Sequence, residues 1–376
     1  MLHICTEISE PEAAQDARWR LNRELQAIGS CHQTLLRAVD EQTLLDDICR
    51  IACEEAGYHM VWVGFAEHDD AKTVRPVARA GFDDGYIDQA RITWADTERG
   101  RGPVGTALRT GESVCIQDYA SDPLAAPWRA EALRRGYRSG IALPLKDENA
   151  VAFGTLNIYS TQPNAFTSEE IRLLKELSGD LAFGVMVLRA RAERKRIDRQ
   201  LQANLHFFAS MDRINLAIQE AQDLEQMMSR VLDAALSIFE CDRAFLLHPC
   251  DPEAATWRAP MERARPEYRG ALAPGIEFAM KLENLGVATA VLASRGPVSF
   301  DPASEQATPD GLTAAFGARS MLCMAIYPKT GKAHMFGLHQ CSHPRIWTEE
   351  EKRLFQEIGR RLADGLTSLR AHSDLR

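Results

Sequence analysis

Several features of a membrane-bound, exported or nucleic-acid-binding protein are missing from the sequence. No apolar run approaches the roughly 18 residues that span a bilayer, and Met1–Asp16 lacks the basic-then-apolar order of a signal peptide. The net charge of −9 gives no basic excess for DNA or RNA. The nine cysteines are an odd number and are scattered, which argues against a disulfide framework. We therefore predict a cytoplasmic protein that has neither a membrane nor a nucleic acid as its partner.

The common catalytic motifs are also missing. The sequence contains no Gly-x-x-x-x-Gly-Lys phosphate loop, no Gly-x-Gly-x-x-Gly and no His-Glu-x-x-His. It has no recognisable histidine-kinase ATP-binding region, diguanylate cyclase signature or helix-turn-helix motif. We therefore predict that this chain is not an enzyme and that any kinase activity would lie outside it.

An internal repeat organises the chain. The segment Arg138–Leu145 is echoed by Arg319–Ile326, and Phe166–Leu174 is echoed by Trp347–Phe355. Both pairs have the same offset, since 319 − 138 and 347 − 166 are both 181. At about 150 residues per domain, the length also predicts two domains. The repeat therefore predicts a duplicated domain rather than one large fold.

Each unit is predicted to be α+β, an antiparallel sheet with flanking helices. A helix is predicted over 35–56, from apolar residues at helical spacing, and a capping box at Thr167 and Glu170 marks the start of another. The same capping box recurs at Thr348 and Glu351. Strands are predicted over 58–66, 73–80, 113–118, 140–146 and 151–160, then over 243–247, 255–261, 298–301, 321–327 and 334–342.

The two units are predicted to be joined by one long helix. From Thr167 to about Ala221 there is no proline, and apolar residues recur at helical spacing around a basic stretch, Arg189–Arg199. Some 50 residues of helix would be about 75 Å long, so we predict a dimeric signalling helix in a homodimer. The alternative is a helix that packs on each domain with a solvated basic middle. The predicted organisation is an N-terminal helix over 1–32, domains over 33–188 and 223–370, and a connecting helix over 189–222.

Both units resemble the GAF domain, a small sensory fold. In the first, the resemblance lies in Gly102–Glu112, Val114–Asp118, the repeated segments and Phe153–Tyr159. In the second, the resemblance includes Phe336–Trp347, within which His339–Arg345 resembles the last strand of phytochrome-type GAF domains. The run from Trp257 resembles a subtype in bacterial hybrid sensor histidine kinases. The resemblance implies an input module of two-component signal transduction. Its implied partners are a small-molecule ligand and a histidine kinase or other output domain.

Aromatic walls with a few polar anchors suggest a ligand site in the first unit. The candidate ligand-binding residues are Trp62, Trp94, Arg99, Arg101, Cys115, Asp118, Trp128 and Tyr137. Arg99 and Arg101 precede a helix predicted to start near Pro103, so they could hold a carboxylate or a phosphate. The alternative is that Trp62 belongs to the core and that both arginines are solvated.

The second unit offers the candidates Trp257, Met261, His339 and Cys341. By resemblance, His339 matches a histidine that contacts a bilin in phytochrome-type domains. The thioether cysteine of that family has no counterpart in Glu305–Leu312, so a covalent bilin is not predicted and the cofactor is left undetermined, with a non-covalent small molecule as one option. Structural packing is the main alternative. A metal site of His339, Cys341 and His343 on one strand face is a weaker one, because alternate residues lie about 6.5–7 Å apart.

The sequence therefore predicts a sensory module that binds a small ligand, or senses redox state, and transmits the change through its helices. One alternative is a dimerisation scaffold without a ligand. The other, an enzyme that reduces free methionine sulfoxide, would use Cys115 as nucleophile and would need a second cysteine nearby. Cys49 and Cys53 are predicted to lie on a helix that packs on the other face of the sheet from Cys115, and to be buried and inert.

Overall fold

The computed structural model describes residues 9–87, 91–268, 270, 277–280, 282–304, 307–329 and 331–373. The chain forms two compact units that divide between Arg196 and Ile197. Each unit contains one antiparallel sheet, as the repeat predicts. Within the described residues, no helix combines the length and the apolar character needed to cross a bilayer.

The first unit begins with two helices and continues with five strands. Its elements are α1 (Ser9–Arg37), α2 (Glu41–Glu54), β1 (Met60–Ala66), β2 (Val74–Gly81), α3 (Pro103–Thr110), β3 (Val114–Ile116), α4 (Arg129–Arg134), β4 (Ser139–Lys146) and β5 (Ala152–Ser160). The strand order is β2-β1-β5-β4-β3, and every pair is antiparallel. The predicted strands and the β4–β5 hairpin are confirmed to within about two residues at each end.

Both faces of this sheet are covered, which explains why β1 is apolar throughout. Val61 and Val63 belong to a core beneath α1, α2 and the start of the long helix. Met60 and Trp62 belong to a second core on the opposite face, with residues of α3 and α4. Because successive side chains of a strand point to opposite faces, a strand buried on both sides reads as a continuous apolar run.

The second unit repeats this plan. Its elements are α6 (Leu224–Phe239), β6 (Arg243–His248), β7 (Thr256–Ala264), β8 (Phe278–Ala279), α7 (Leu282–Ala293), β9 (Val298–Phe300), α8 (Asp310–Phe316), β10 (Ser320–Ile326), β11 (His334–Gln340) and α9 (Glu349–Ser373). The strand order is β8-β7-β6-β11-β10-β9. One face packs on α6 and α9, and the other on α7 and α8.

A single 52-residue helix, α5 (Ser168–Gln219), runs from the first unit into the second and confirms the predicted long helix. Its capping box forms as predicted: the Thr167 N–H donates to Glu170 Oε2 at 2.6 Å, and the Glu170 N–H donates to Thr167 Oγ1 at 3.3 Å. The equivalent bonds join Thr348 and Glu351 at the start of α9. Residues 189–202, in the middle of α5, are all exposed.

The structure differs from the predictions at several element boundaries, and β7, for example, ends at Ala264 rather than at Met261. The helix predicted over 35–56 is split, because Asp40 caps a new helix: its carboxylate accepts from the Thr43 N–H at 2.9 Å. Strand β11 ends at Gln340 rather than at Ser342, because the next two backbone N–H groups donate to a carboxylate instead of a strand. The N-terminal helix predicted over 1–32 is described as Ser9–Arg37, and residues 1–8 of that prediction lie outside the described residues.

Candidate functional site

Each sheet has a cavity on the face opposite α1 and α2 in the first unit, and opposite α6 and α9 in the second. The second-unit cavity has a volume of about 60 Å³. Its wall is mostly apolar and includes Phe245, Leu247, Trp257, Phe316, Met321 and Met335. Three polar side chains interrupt this wall: Arg243, Glu262 and His339. An apolar cavity with a few convergent polar groups is the usual form of a small-molecule site.

Arg243 is held in place by several acceptors. It lies opposite His339 in the β6–β11 ladder, and its side chain is only 3% exposed. Its guanidinium donates to Tyr268 O at 2.7 and 3.1 Å, to Phe316 O at 3.1 Å and to His339 Nδ1 at 3.0 Å. Glu262 Oε1 lies 3.8 Å from Arg243 Nε, so the two buried charges pair. The Gly270 N–H donates to the same carboxylate oxygen at 2.8 Å.

The Arg243 bond fixes the protonation of His339. A guanidinium only donates hydrogen bonds, so His339 Nδ1 must accept and the proton of the neutral ring must lie on Nε2. Burial and the adjacent Arg243 charge lower the pKa of His339 well below its usual value, so the ring is neutral at pH 7. His339 Nε2 is buried and has no hydrogen-bond partner among the described residues. The cavity wall therefore holds an N–H donor for which the described residues provide no acceptor.

Trp257 provides a second such donor. Its indole stacks on Phe278, with ring centroids 4.7 Å apart and an interplanar angle of 19°. Its Nε1 is buried and has no partner in the described part of the chain. Trp257 and His339 are the two predicted residues of this unit that line the cavity.

A buried carboxylate lies at the end of the strand that carries His339. Asp242 Oδ2 accepts from Gln340 Nε2, the Cys341 N–H, the Ser342 N–H and Ser342 Oγ at 2.7–2.9 Å. Burial alone would raise the pKa of Asp242, but the Ser342 and Cys341 N–H groups more than offset it, so the pKa lies below its usual value. This network fixes the end of β11 and hence the position of His339.

The other two predicted residues of the second unit lie elsewhere. Met261 belongs to the core facing α6 and α9. A bulge in β7 places three residues of this strand opposite two of β6. The bulge inverts the alternation of side chains between the two faces, so Met261 points away from the cavity. Cys341 follows the end of β11, where its thiol donates weakly to Phe316 O at 3.9 Å and burial raises its pKa. His343 is exposed, so the predicted alignment of His339, Cys341 and His343 on one strand face is wrong.

The first-unit cavity is smaller, about 30 Å³, and is lined by aromatic rings. Of the predicted residues, Arg99 and Trp128 line it, together with Tyr86, Tyr119, Asn157 and Tyr159. Trp128 covers Gly102 so closely that a Cβ at that position would clash with the indole. Glycine is therefore required where the chain enters α3.

Three of the lining residues, Tyr86, Tyr119 and Tyr159, belong to a cluster of four buried tyrosines. The rings of Tyr137 and Tyr159 lie 4.9 Å apart, and those of Tyr86 and Tyr137 lie 5.4 Å apart. Burial raises the pKa of all four clustered tyrosines, the fourth being Tyr119. Asn157 Nδ2 donates to Thr155 Oγ1 at 2.9 Å. Asn157 Oδ1 is buried without a partner among the described residues.

The remaining predicted residues of the first unit make structural contacts. Trp62 is fully buried in the core, Trp94 Nε1 donates to Glu67 O at 2.9 Å, and the Tyr137 hydroxyl donates to Phe82 O. Arg101 forms an exposed ion pair with Asp96 at 2.9 Å, and Asp118 pairs with Arg138 at 3.2 Å. Cys115 packs on the sheet face that carries α1 and α2, where burial raises its pKa to about 11.

Several residues that line the cavities were not predicted from the sequence, although the sequence contains a signal for some of them. Asn157 and Tyr159 are two apart on a predicted strand, and hence on one face. Arg243 begins another predicted strand and could have been paired with His339 from the antiparallel order. Glu262 gave no signal, because its orientation depends on the bulge in β7.

Two family models match the chain, each described as a GAF domain, over residues 38–186 and 223–366. Solved structures are similar at low identity. A free methionine-R-sulfoxide reductase from Neisseria meningitidis is 19% identical, with 45% of this chain and 91% of that chain covered and a TM-score of 0.37. The GAF domain of a phosphoenolpyruvate-protein phosphotransferase from Coxiella burnetii is 18% identical (46% and 97% covered, TM-score 0.39).

A domain of a protein described as a two-component sensor histidine kinase, from Sinorhizobium meliloti, is also similar. It is 18% identical, with 41% of this chain and 96% of that chain covered and a TM-score of 0.33. No curated protein matches the chain.

Proposed function

The chain belongs to the GAF family, with two such domains in tandem, and on this premise we propose that it is a sensory module of signal transduction. Its second domain binds a small molecule in the cavity beside His339. The binding changes the packing of the helices, and through them it acts on an output domain or on a partner such as a histidine kinase. A cytoplasmic location stays a prediction.

The observation that carries this proposal is the orphaned N–H of His339 in an apolar cavity. A buried donor without an acceptor costs about 1–3 kcal/mol relative to one that is bonded. A ligand that accepts from His339 Nε2 recovers this energy, and the same side chain would be a poor choice for plain packing. Histidine at this position is therefore better explained by a ligand than by the core.

A chain of polar contacts links this site to α9. Asp242 holds Gln340, which follows His339, and Gln340 Oε1 accepts from Arg345 Nη1 at 3.1 Å. Arg345 also pairs with Glu351, the acidic residue of the α9 capping box. A ligand that displaces the end of β11 would thus alter the first turn of α9. Such a ligand shifts the equilibrium only by its differential affinity for the two helix arrangements.

Native mass spectrometry tests the proposal directly. The wild-type chain and the variants His339→Leu and Tyr159→Phe are purified in parallel and compared. We expect a small mass to accompany wild type and Tyr159→Phe, which changes only the first domain, but not His339→Leu. If no mass accompanies any of them and a metabolite library produces no thermal shift, the domain is not a ligand sensor and the scaffold alternative is favoured.

A bilin does not fit the residues of this site, although the resemblance implies a bilin contact for His339. The cavity of about 60 Å³ is far smaller than the roughly 300–1,000 Å³ of clefts that enclose larger ligands. The sequence from Glu305 to Leu312 has no cysteine for a thioether, and Glu305 and Gln306 themselves lie outside the described residues.

The reductase and redox-sensing alternatives are not supported by the placement of the thiols. Contrary to the prediction, the helix carrying Cys49 and Cys53 packs on the same sheet face as Cys115. It lies over β1 and β2, however, whereas Cys115 is on β3 at the opposite edge of the sheet. With a pKa of about 11, Cys115 is almost entirely a thiol at pH 7. We expect iodoacetamide to label it in the native chain at least about 100-fold more slowly than free cysteine.

We also propose that the chain acts as a homodimer through the middle of α5. Ile197, Leu201, Leu205 and Phe208 recur at intervals of four, four and three, and they are 52–65% exposed. Such spacing forms a stripe along one side of a helix. The partner proposed for this stripe is the same stripe of a second copy, because each copy brings an apolar seam of the same length, flanked by charges that keep it in water.

Sedimentation of the full chain tests the dimer. Leu201→Glu removes an apolar contact and adds a charge in both copies, about 4 kcal/mol in total, which weakens the dimer about 1,000-fold. Gln202→Glu adds the same charge one residue away and should leave the dimer intact. A wild-type chain that stays monomeric at high concentration contradicts the dimer, and a dimeric Leu201→Glu variant contradicts this interface.

A further inference from the structure

We propose that the second-domain cavity is selective for a small uncharged molecule that is apolar on most sides and carries one hydrogen-bond acceptor, such as a ketone or aldehyde carbonyl. This inference rests on the proposed function and adds the chemical class of the ligand. It follows from three properties of the site: the orphaned groups are donors, the buried charges are already paired, and the remaining wall is apolar.

The orphaned polar groups of the wall are both N–H donors. Arg243 forces the proton of His339 onto Nε2, and an indole N–H such as that of Trp257 can only donate. A ligand that satisfies them must therefore bring an acceptor. A carbonyl oxygen has two lone pairs and could accept from one donor or from both. A hydroxyl or amine that only donated would leave the two groups as they are.

The buried charges of the site are already neutralised. Arg243 donates to two backbone carbonyls and to His339, and its charge faces Glu262. An anionic ligand would have to lose its hydration without gaining an arginine, and it would lie near the Glu262 carboxylate. Burial of an unpaired charge is costly, so the site disfavours carboxylates and phosphates. The buried Arg243 alone would indicate a site for an anion, but its pairing with Glu262 removes that preference.

The size of the cavity limits the ligand. About 15 Å³ of such a cavity holds one water, so a volume of about 60 Å³ suits a molecule of roughly four heavy atoms. The faces of Phe245 and Trp257, with Met321 and Met335, would contact its apolar sides. Rearrangement of these flexible methionine side chains could admit a somewhat larger molecule of the same class.

Three probe molecules of equal size test separately whether the ligand needs a hydrogen-bond acceptor and whether it must be uncharged. Acetone, acetate and isobutene each have four heavy atoms around a trigonal carbon, and they carry a neutral acceptor, a charged acceptor and no acceptor. The full-length chain is labelled with ¹⁵N at histidine and tryptophan side chains. The His339 Nε2–H and Trp257 Nε1–H resonances, which burial protects from exchange, are assigned by their loss in His339→Gln and Trp257→Phe.

We expect acetone to shift the His339 Nε2–H resonance and to bind about tenfold more tightly than isobutene, the usual value of one hydrogen bond. Acetate at pH 7 should bind more weakly than acetone. His339→Gln keeps an N–H donor and should keep part of the preference for acetone, whereas His339→Leu should abolish it. Tyr159→Phe, in the first domain, is the matched control and should change nothing.

Each contrary result has a distinct meaning. Binding of acetate in preference to acetone, or equal binding of isobutene and acetone, overturns the ligand class but leaves a ligand site. Failure of all three probes up to roughly 100 mM, where a four-atom ligand of ordinary efficiency would bind, also overturns the class. In that case a mass that accompanies wild type but not His339→Leu preserves the proposed function, and the absence of such a mass ends both.

Discussion

The two domains place different side chains at the same point of the same hairpin. In the first, Gly140 of β4 lies opposite Tyr159 of β5, and in the second, Met321 of β10 lies opposite His339 of β11. Gly140 and Met321 are 181 residues apart, since 321 − 140 = 181, which is the offset of the repeat. Tyr159 and His339 are therefore equivalent positions on the cavity-facing side of the two sheets.

The neighbours of this position differ in the same way. The Tyr159 carbonyl accepts from the His59 N–H at 2.9 Å, and the His339 carbonyl accepts from the Asp242 N–H at 3.1 Å. The backbone is thus the same, but His59 is a partly buried ring, whereas Asp242 is a fully buried carboxylate with four donors. A buried carboxylate therefore stands beside this position in the second domain, where the first domain has the His59 ring.

The residue at this position distinguishes a domain whose cavity is mostly closed by packing from one whose cavity could hold a ligand. The first domain fills the position with a tyrosine ring that contacts other tyrosines, and a cavity of about 30 Å³ is left. The second has a smaller ring, whose Nε2–H finds no partner in the part of the chain that the structure describes, beside a cavity of about 60 Å³. The same scaffold supports either solution, so the family alone does not determine which domain binds a ligand.

The largest expected effect comes from the carboxylate that only the second domain has. In Asp242→Asn the amide oxygen can still accept the four hydrogen bonds of Oδ2, but they lose the charge that strengthens them, and the NH₂ group takes the place of Oδ1 beside Arg265. We therefore expect a loss of about 3 kcal/mol in the free energy of unfolding. Urea unfolding of the full chain measures it, and hydrogen exchange should show faster opening of β11 and α9.

The control for this variant is Asp251→Asn. Asp251 lies in the same domain but is partly exposed, and it pairs with Lys332 at 2.7 Å. An exposed ion pair contributes less than about 1 kcal/mol. Equal losses for the two variants would mean that the hydrogen bonds of Asp242 at the end of β11 stabilise the domain no more than an exposed ion pair does. The buried carboxylate would then not distinguish the second domain from the first.

Tyr159→His and His339→Tyr exchange the side chains of the two equivalent positions, and we expect them to lower the free energy of unfolding by unequal amounts. Tyr159→His removes a ring from the packed tyrosine cluster, and we expect a loss of about 2–3 kcal/mol. His339→Tyr adds volume next to a cavity and costs Arg243 one acceptor of several, so its loss should be smaller, about 1 kcal/mol. Unfolding of both variants in urea measures the difference, and a larger loss for His339→Tyr would show that the second cavity is not available space.

Much of the fold could be predicted because its signals are local. The β4–β5 hairpin, the capping box of Thr167 and Glu170, and the unbroken helix α5 all depend on residues close in sequence. The repeated motifs fixed the second domain once the first was recognised. The split between α1 and α2 was missed because a single cap residue, Asp40, decides it.

The site was harder to predict because its residues come from different elements. His339 and Trp257 were found, but Arg243 and Glu262 become relevant only when the strands pair and the β7 bulge turns Glu262 towards the cavity. Met261 was also assigned to the site. Regular alternation would place it on the face of Trp257, but the bulge turns it to the opposite face. No periodicity in the sequence reports a bulge of one residue.

The last expected effect is a pH dependence that the second domain has at this position and the first does not. Because burial and Arg243 lower the pKa of His339, the unfolded chain takes up a proton below about pH 6.5 that the native chain does not. The free energy of unfolding should therefore decrease as the pH is lowered below about 6.5, by at most about 1.4 kcal/mol per pH unit. In His339→Gln this contribution is absent, and all other histidines cancel in the comparison. The stability difference between wild type and variant should thus decrease from about pH 6.5 to about pH 5. A difference that is constant over this range would mean that His339 is not held neutral, and the contrast with Tyr159 would lose its electrostatic basis.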